Sequence, residues 1–215
     1  MHPVTMTVAL EQAAKGASSI SGIRDEVDQG FNLLSKGKQA MAVNLFDRVI
    51  ATVDRHLAGD SRQKLCDGDG HIKADLAGTV IVDKAVCDAH FGKGYALIDL
   101  GRGDLAEAEL HMATTMAPGD AHYANEYAEL FKSRREWQKS YDLFARAWNV
   151  VDKDMKGPDA SLAARALRGM GYNMIELGKL DEAEKLFRQS LDYEPRSDAA
   201  KGELSYLARK RAIGS

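Results

Sequence analysis

Apolar positions recur along this chain with a helical period. In LDEAEKLF, residues 180–187, Leu180, Ala183, Leu186 and Phe187 fall on one face, with charged residues between them, the spacing of an amphipathic helix. A second stripe, Ala200, Leu204, Leu207 and Ala208, runs through residues 198–212 and ends on Arg209, Lys210 and Arg211. Positive charge there complements a helix C-terminus, so this segment reads as a terminal capping helix. Alanine, leucine, lysine and glutamate fill many windows and favour helix. SISGIRDEV opens the first predicted helix, with Ser19 or Ser21 as its N-cap.

The helical pattern repeats. In residues 171–195, Gly171, Gly178, Ala183, Phe187, Ser190 and Pro195 keep the same spacing as Gly94, Gly101, Ala106, Leu110, Ala113 and Pro118 in residues 94–118. Gly30, Gly37, Ala42, Phe46 and Val49 fit the same ruler. So do Ala128, Ser140, Phe144 and Ala147, with Arg135 where the turn glycine belongs. Each copy predicts two helices joined by a short turn. Gly37, Gly101 and Gly178 stand where the first helix stops, a place glycine fills cheaply in the left-handed conformation. Small residues on both helices allow close approach. Phe46, Leu110, Phe144 and Phe187 then fill the space between neighbouring hairpins, and Pro118 and Pro195 end the second helix. Four repeats are placed at 23–56, 87–120, 121–154 and 164–197. Residues 1–22 form an N-terminal segment and 57–86 a connector with an acidic loop at 59–73, followed by helix from about 74. Residues 155–163 form a linker, and 198–215 the capping helix and tail.

This pattern resembles the tetratricopeptide repeat, a helix–turn–helix unit of about 34 residues. The resemblance covers about 136 of the 215 residues. It implies an all-α fold: a right-handed α-solenoid of four repeats with a C-terminal capping helix, held by nearest-neighbour contacts. CDAHFGKGYALIDLGRGDLAEAE and ALRGMGYNMIELGKLDEAEKLFRQSLDYEP also look like a group of bacterial tetratricopeptide proteins of unassigned function, many of them exported.

The composition fits a folded protein of this kind: 45% hydrophobic, 28% charged, net charge −3. Nothing in that balance asks for nucleic acid, and no run approaches the roughly 18–20 apolar residues of a membrane span. MHPVTMTVALEQAAKGASS has a short apolar stretch with no basic cluster before it, unlike a signal peptide. The chain as given reads as cytoplasmic, or as periplasmic or secreted if an export signal has been removed. Its two cysteines, Cys66 and Cys87, are expected as unpaired thiols; one bridge between them would need an oxidising compartment.

One stretch has the look of a ligand loop. In LCDGDGHIKADL, Asp67, Asp69, Gly70 and Ile72 match the third, fifth, sixth and eighth positions of an EF-hand loop. Leu65 and Leu76 then stand at the first and twelfth, where calcium needs carboxylates. The expectation is a polar turn and no metal. His56, Cys66, His71, Cys87 and His90 lie in or beside the same insertion, but their spacing matches no usual zinc pair. No G-x-S-x-G, H-E-x-x-H, P-loop or G-x-G-x-x-G sequence occurs. The carboxylates of LAEAEL and LDEAEKL are expected to face solvent rather than to form an acid–base pair. No enzyme and no cofactor are expected.

The resemblance instead directs attention to the inner face of the first helices. Its groove offsets select Arg24, Phe31 and Leu34 from the first repeat, and Asp88, Phe91, Tyr95 and Asp99 from the second. The third offers His122, Asn125, Glu129 and Lys132, and the fourth Arg165, Arg168, Tyr172 and Glu176. Aromatic anchors among mixed charges suit a protein interface, although Phe31 and Phe91 serve equally well as packing. The paired Lys/Asn pattern that clamps a C-terminal carboxylate in chaperone-binding members is missing, so an internal helix or extended segment of a partner is the better expectation. The expected function is a non-catalytic scaffold binding a protein or peptide in this groove. One alternative is a self-associating assembly protein using Cys87, Trp137, Trp148 and the insertion loop. The other is a metal-responsive protein using residues 65–90.

Overall fold

Four turns of this protein each pivot on one residue with positive φ. Gly37, Gly101 and Gly178 take φ values of 69°, 72° and 76°. Arg135 takes 61° at the corresponding turn, and is the one non-glycine in that region among the described residues. The same hydrogen bond closes each turn: Lys38 N–H to the Leu33 carbonyl, Arg102 to Leu97, Glu136 to Phe131 and Lys179 to Met174. This is the six-to-one closure of a helix that ends in a left-handed residue. Arginine in that conformation costs about 1–2 kcal/mol, and a glycine would return about 0.5–1 kcal/mol of that as chain entropy. Arg135→Gly is therefore expected to stabilise its unit by about 0.5–1 kcal/mol. A rise in the urea midpoint read by tryptophan fluorescence checks this, and an unchanged or lowered midpoint refutes it.

The computed structural model describes residues 22–66 and 78–214. A first helix, α1, runs through 22–35. It is followed by α2 (Gln39–His56), β1 (Gln63–Cys66), β2 (Thr79–Val82), α3 (Lys84–Asp99), α4 (Gly103–Met116), α5 (Ala121–Ser133), α6 (Trp137–Val150), α7 (Ala160–Glu176), α8 (Leu180–Tyr193) and α9 (Asp198–Gly214). The chain divides into two compact units, Met1–Ala117 and Pro118–Ser215. In the first, α2 packs on α3 and α3 on α4. In the second, α5 packs on α6, α6 on α7, α7 on α8 and α8 on α9. α4 stops at Met116 and α8 at Tyr193, each just short of its proline.

Aromatic rings seated on glycines set the packing inside each unit. Phe46 of α2 is fully buried. A Cβ on Gly30 of α1 or on Gly92 of α3 would lie 2.5 Å from its ring. In the second unit the Phe144 ring of α6 presses on Gly169 of α7, where a Cβ would meet three ring carbons. Phe187 sits on Gly171, and Leu110 on Gly94. The capping stripe of α9 is narrower than its sequence suggests: Ala200 and Leu207 are buried, Leu204 is half-buried and Ala208 is exposed.

The insertion departs from the sequence expectation in three ways. Residues 63–66, expected within the loop at 59–73, form the strand β1. Residues 79–82 form a strand and α3 begins at Lys84, so the helix expected from about 74 does not extend through 78–83. β2 instead pairs in parallel with β1, Gln63 opposite Thr79 and Cys66 opposite Val82. Val80, Ile81 and Val82 are β-branched, and Asp83 caps α3 by accepting a hydrogen bond from the Ala85 N–H at 2.9 Å, which starts the helix there rather than earlier. The cysteines are also not free: Cys66 and Cys87 form a disulfide. The spacing of two lone cysteines held no sign of this, because β1 and the first turn of α3 meet only in the folded unit.

Candidate functional site

The groove residues chosen from the sequence divide between the two units. In the first unit, Arg24 pairs with Asp83 at 2.7 Å, Lys84 donates to Asp88 at 2.9 Å, and Gln39 donates to Asp99 at 3.2 Å. Phe31 is half-buried, with its ring centroid 5.4 Å from Phe46 and 6.3 Å from Phe91. Phe91 is buried, so it acts as packing. Leu34 is half-buried. Tyr95 is 43% exposed, more open than Phe31 or Phe91.

The second unit brings more of the set together. Arg165 of α7 reaches Glu126 at 2.5 Å and Glu129 at 4.0 Å, both on α5. Glu129 also bridges to Lys132. The Lys132 ammonium stands 5.4 Å from the centroid of the half-buried Tyr172 ring, and Trp137 meets that ring edge-on at 6.1 Å. Burial, together with the Glu176 and Glu203 carboxylates, pushes the Tyr172 phenol up. Burial and Glu176 likewise raise Glu203, against the pull of Lys132. Arg168 is drawn instead to Glu194 at 2.5 Å, just past the end of α8. His122 and Glu176 are exposed.

Asn125 does not present its side chain to a groove. It is fully buried, and its amide donates to the Leu162 carbonyl at 3.2 Å. A related buried relay runs from Asn173, which donates to Ser140 Oγ at 2.9 Å, and from that hydroxyl to the Ala128 carbonyl at 3.0 Å. Ser140 is thus a hydrogen-bonding hub as well as a small residue. Trp137 and Glu203 belong to the surface around Tyr172, and Glu126 is the partner of Arg165, although the groove offsets select none of the three. Trp137 opens α6 and Glu203 lies on the capping helix, outside the first-helix positions those offsets describe.

One carboxylate of LAEAEL also departs from expectation. Glu109 of α4 turns onto α3, where it accepts from Lys93 at 2.6 Å and pairs with His90 Nδ1 at 2.7 Å. Lys93 also reaches Asp47 of α2 at 2.7 Å. Burial alone would raise the Glu109 carboxyl, but the hydrogen bonds from His90 and Lys93 hold it below its usual value. Burial would lower Lys93, and its bonds to Asp47 and Glu109 raise it instead. Glu109 therefore adds stability above its unfolded pKa of about 4.3, lost as pH falls through the lower folded value. Lys93 adds stability below about 10.4, lost as pH rises through its higher folded value. Glu109→Gln is expected to cost the first unit about 2 kcal/mol at neutral pH and to flatten its acid limb. Amide exchange in α3 across pH reads this, and an unchanged acid limb would contradict it.

The metal-responsive alternative loses both of its thiolates, since Cys66 and Cys87 bind each other, and His90 is engaged by Glu109. The self-association alternative loses Cys87 as a surface contact, because it is fully buried. Trp148 packs edge-on against Tyr193 at 5.6 Å. Among the described residues no group of three or more His, Cys, Asp or Glu is placed to hold an ion. The calcium-like residues Asp67, Asp69, Gly70 and Ile72, with His71, Ser19 and Ser21, lie outside the described residues. No helix among the described residues is long and apolar enough to cross a membrane.

No protein-family model matches the sequence, and no curated protein matches it either. Solved structures do match in fold. The chain is similar to PilF of Pseudomonas aeruginosa at 15% identity and a TM-score of 0.66, covering 91% of this chain and 72% of that one. It is similar to MamA at 13% identity and 0.60, covering 86% and 85%. It also matches the first tetratricopeptide domain of Spaghetti (RPAP3), solved with an HSP90 peptide, at 19% identity and 0.53, covering 62% and 98%. With its helices paired into adjacent hairpins on left-handed turns, this chain has the tetratricopeptide-repeat fold of the α-solenoid class.

Proposed function

We propose that this chain is a non-catalytic scaffold that holds a partner protein or peptide against the first helices of its repeats, at 23–56, 87–120, 121–154 and 164–197. The observation that carries the reading is the surface around Tyr172. A half-buried aromatic ring stands beside Lys132, which is held by Glu129, and Arg165 reaches Glu129 and Glu126 from α7. Side chains ordered before binding lose little entropy on binding, and an aromatic ring in such a frame suits a hot spot. The Spaghetti domain, a structure of the same fold, is solved with a bound peptide, and this supports the same use here. Arg168, tied to Glu194, offers a second contact in this unit, and the exposed Tyr95 is a separate candidate in the first unit.

Full-length chain used as bait, with quantitative recovery of co-purifying proteins, tests the reading. The Tyr95→Ala, Arg168→Ala double variant should lose at least about tenfold in capture, the weight of roughly 1.4 kcal/mol, with its helical circular dichroism unchanged. Tyr172→Ala should do the same alone. Undiminished capture by all of these well-folded variants would sink the site.

A further inference from the structure

The Cys66–Cys87 bond joins the end of β1 to the first turn of α3. Both sulfurs lie inside the unit: Cys66 is 4% exposed and Cys87 is fully buried. The bond closes a covalent loop with a sequence separation of 21 residues, and β2 lies within that loop. Each strand of the ladder has four residues. A two-stranded sheet of that size is marginal in water, and parallel pairing is the weaker kind per residue. The ribbon therefore depends on the disulfide and on the contacts of β1 with α3 and α4. Cys66 Sγ also lies 3.8 Å from the carbonyl oxygen of Asp83. Asp83 in turn caps α3 and pairs with Arg24 of α1, so the clamp bears on the junction of three elements. These are the only two cysteines in the sequence, and both belong to the first unit.

We infer that Cys66 and Cys87 are an oxidation site filled while the first unit folds, by a disulfide-bearing oxidant outside a reducing cytosol, and that the second unit needs no such step. The chemistry is thiol–disulfide exchange. One cysteine loses its proton, and its thiolate attacks a sulfur of the oxidant's disulfide, releasing one oxidant thiolate. The other cysteine loses its proton and attacks the mixed disulfide, releasing the second oxidant thiolate. One protein S–S bond has formed, the oxidant's S–S bond has broken, and the two protons end on the two released thiols. Each attack needs an open approach to sulfur, which the packed unit denies. Exchange therefore precedes the closing of α3's first turn, and the finished bond is shielded from small reductants. An exposed pair poised for reversible control would have the opposite geometry. If the scaffold reading holds, the partner is met in the same oxidising compartment, although the oxidation site does not depend on that reading.

Full-length chain folded under oxidising conditions tests the inference by mass-counted alkylation and hydrogen exchange. It should take up no maleimide, native or denatured, and dithiothreitol should reduce it at least about tenfold more slowly when native than when denatured. Chain refolded under reductant, with no atom removed, should exchange amides across 63–66 and 79–87 at least about tenfold faster than the oxidised parent. The Cys66→Ala, Cys87→Ala chain should do the same, while α7 and α8 exchange as before. Ready alkylation of the oxidised native chain overturns the inference, and so does parent-like exchange in both the reduced and the doubly substituted chains. Neither readout involves partner capture, so it stands or falls apart from the groove.

Discussion

Phe144→Ala is expected to cost the second unit about 3–5 kcal/mol. The ring is fully buried between α6 and α7. Its neighbour on α7 is Gly169, which has no side chain to swing into the space left behind. Helices cannot close the gap without moving their other contacts, so most of the cavity should persist, which puts the cost in the upper part of the large-to-alanine range. Both tryptophans of the chain, Trp137 and Trp148, belong to this unit, so urea unfolding by tryptophan fluorescence reads the loss directly. The same seat makes a sharper statement about Gly169. Gly169→Ala should destabilise the parent by about 1–3 kcal/mol through overpacking, and should cost far less once Phe144 is alanine, because the added methyl then enters an empty space. Strict additivity of the two substitutions would mean that ring and glycine are not in contact.

The second large effect belongs to the disulfide. Removing it as Cys66→Ala with Cys87→Ala is expected to cost the first unit about 3 kcal/mol, the loop-closure entropy of a cross-link spanning about twenty residues. The loss should appear as faster amide exchange in β1, β2 and the start of α3. The Phe46 seat between Gly30 and Gly92 keeps its packing, so α2 and the second half of α3 should retain more protection than the ribbon. Uniform loss throughout the unit would show that the bond supports the whole hydrophobic core. No change at all would leave the ribbon held by its helix contacts alone.

Much of the fold is legible in the sequence, because a repeat is a local object. The turn glycines, the small residues across from Phe46 and Phe187, and the terminal prolines all act within one hairpin, and their spacing reports them. Arg135 is the clearest instance: it takes the left-handed turn that the ruler assigned to a glycine, at 61°. What depends on contact between hairpins is less legible. Gly92 and Gly169 stand at the same place in two repeats, and that coincidence was the available signal for the rings they seat. The helix period points Glu109 to solvent, yet its azimuth brings it to His90 and Lys93. The offset of Asn125 is that of a groove residue, yet its side chain turns inward to Leu162. The parallel β1–β2 pair and the disulfide join segments far apart in sequence, and no local pattern encodes such a closure.

The claim that the inner face holds a partner is tested most directly by where the chain touches one. A photo-crosslinking residue placed at Tyr172 of the full-length chain, on the α5–α7 side, can be compared with the same residue at the exposed Gln189 of α8. The account predicts a dominant protein adduct of defined mass from position 172 and none from 189. Adducts of equal yield from both positions, or from 189 alone, would contradict it.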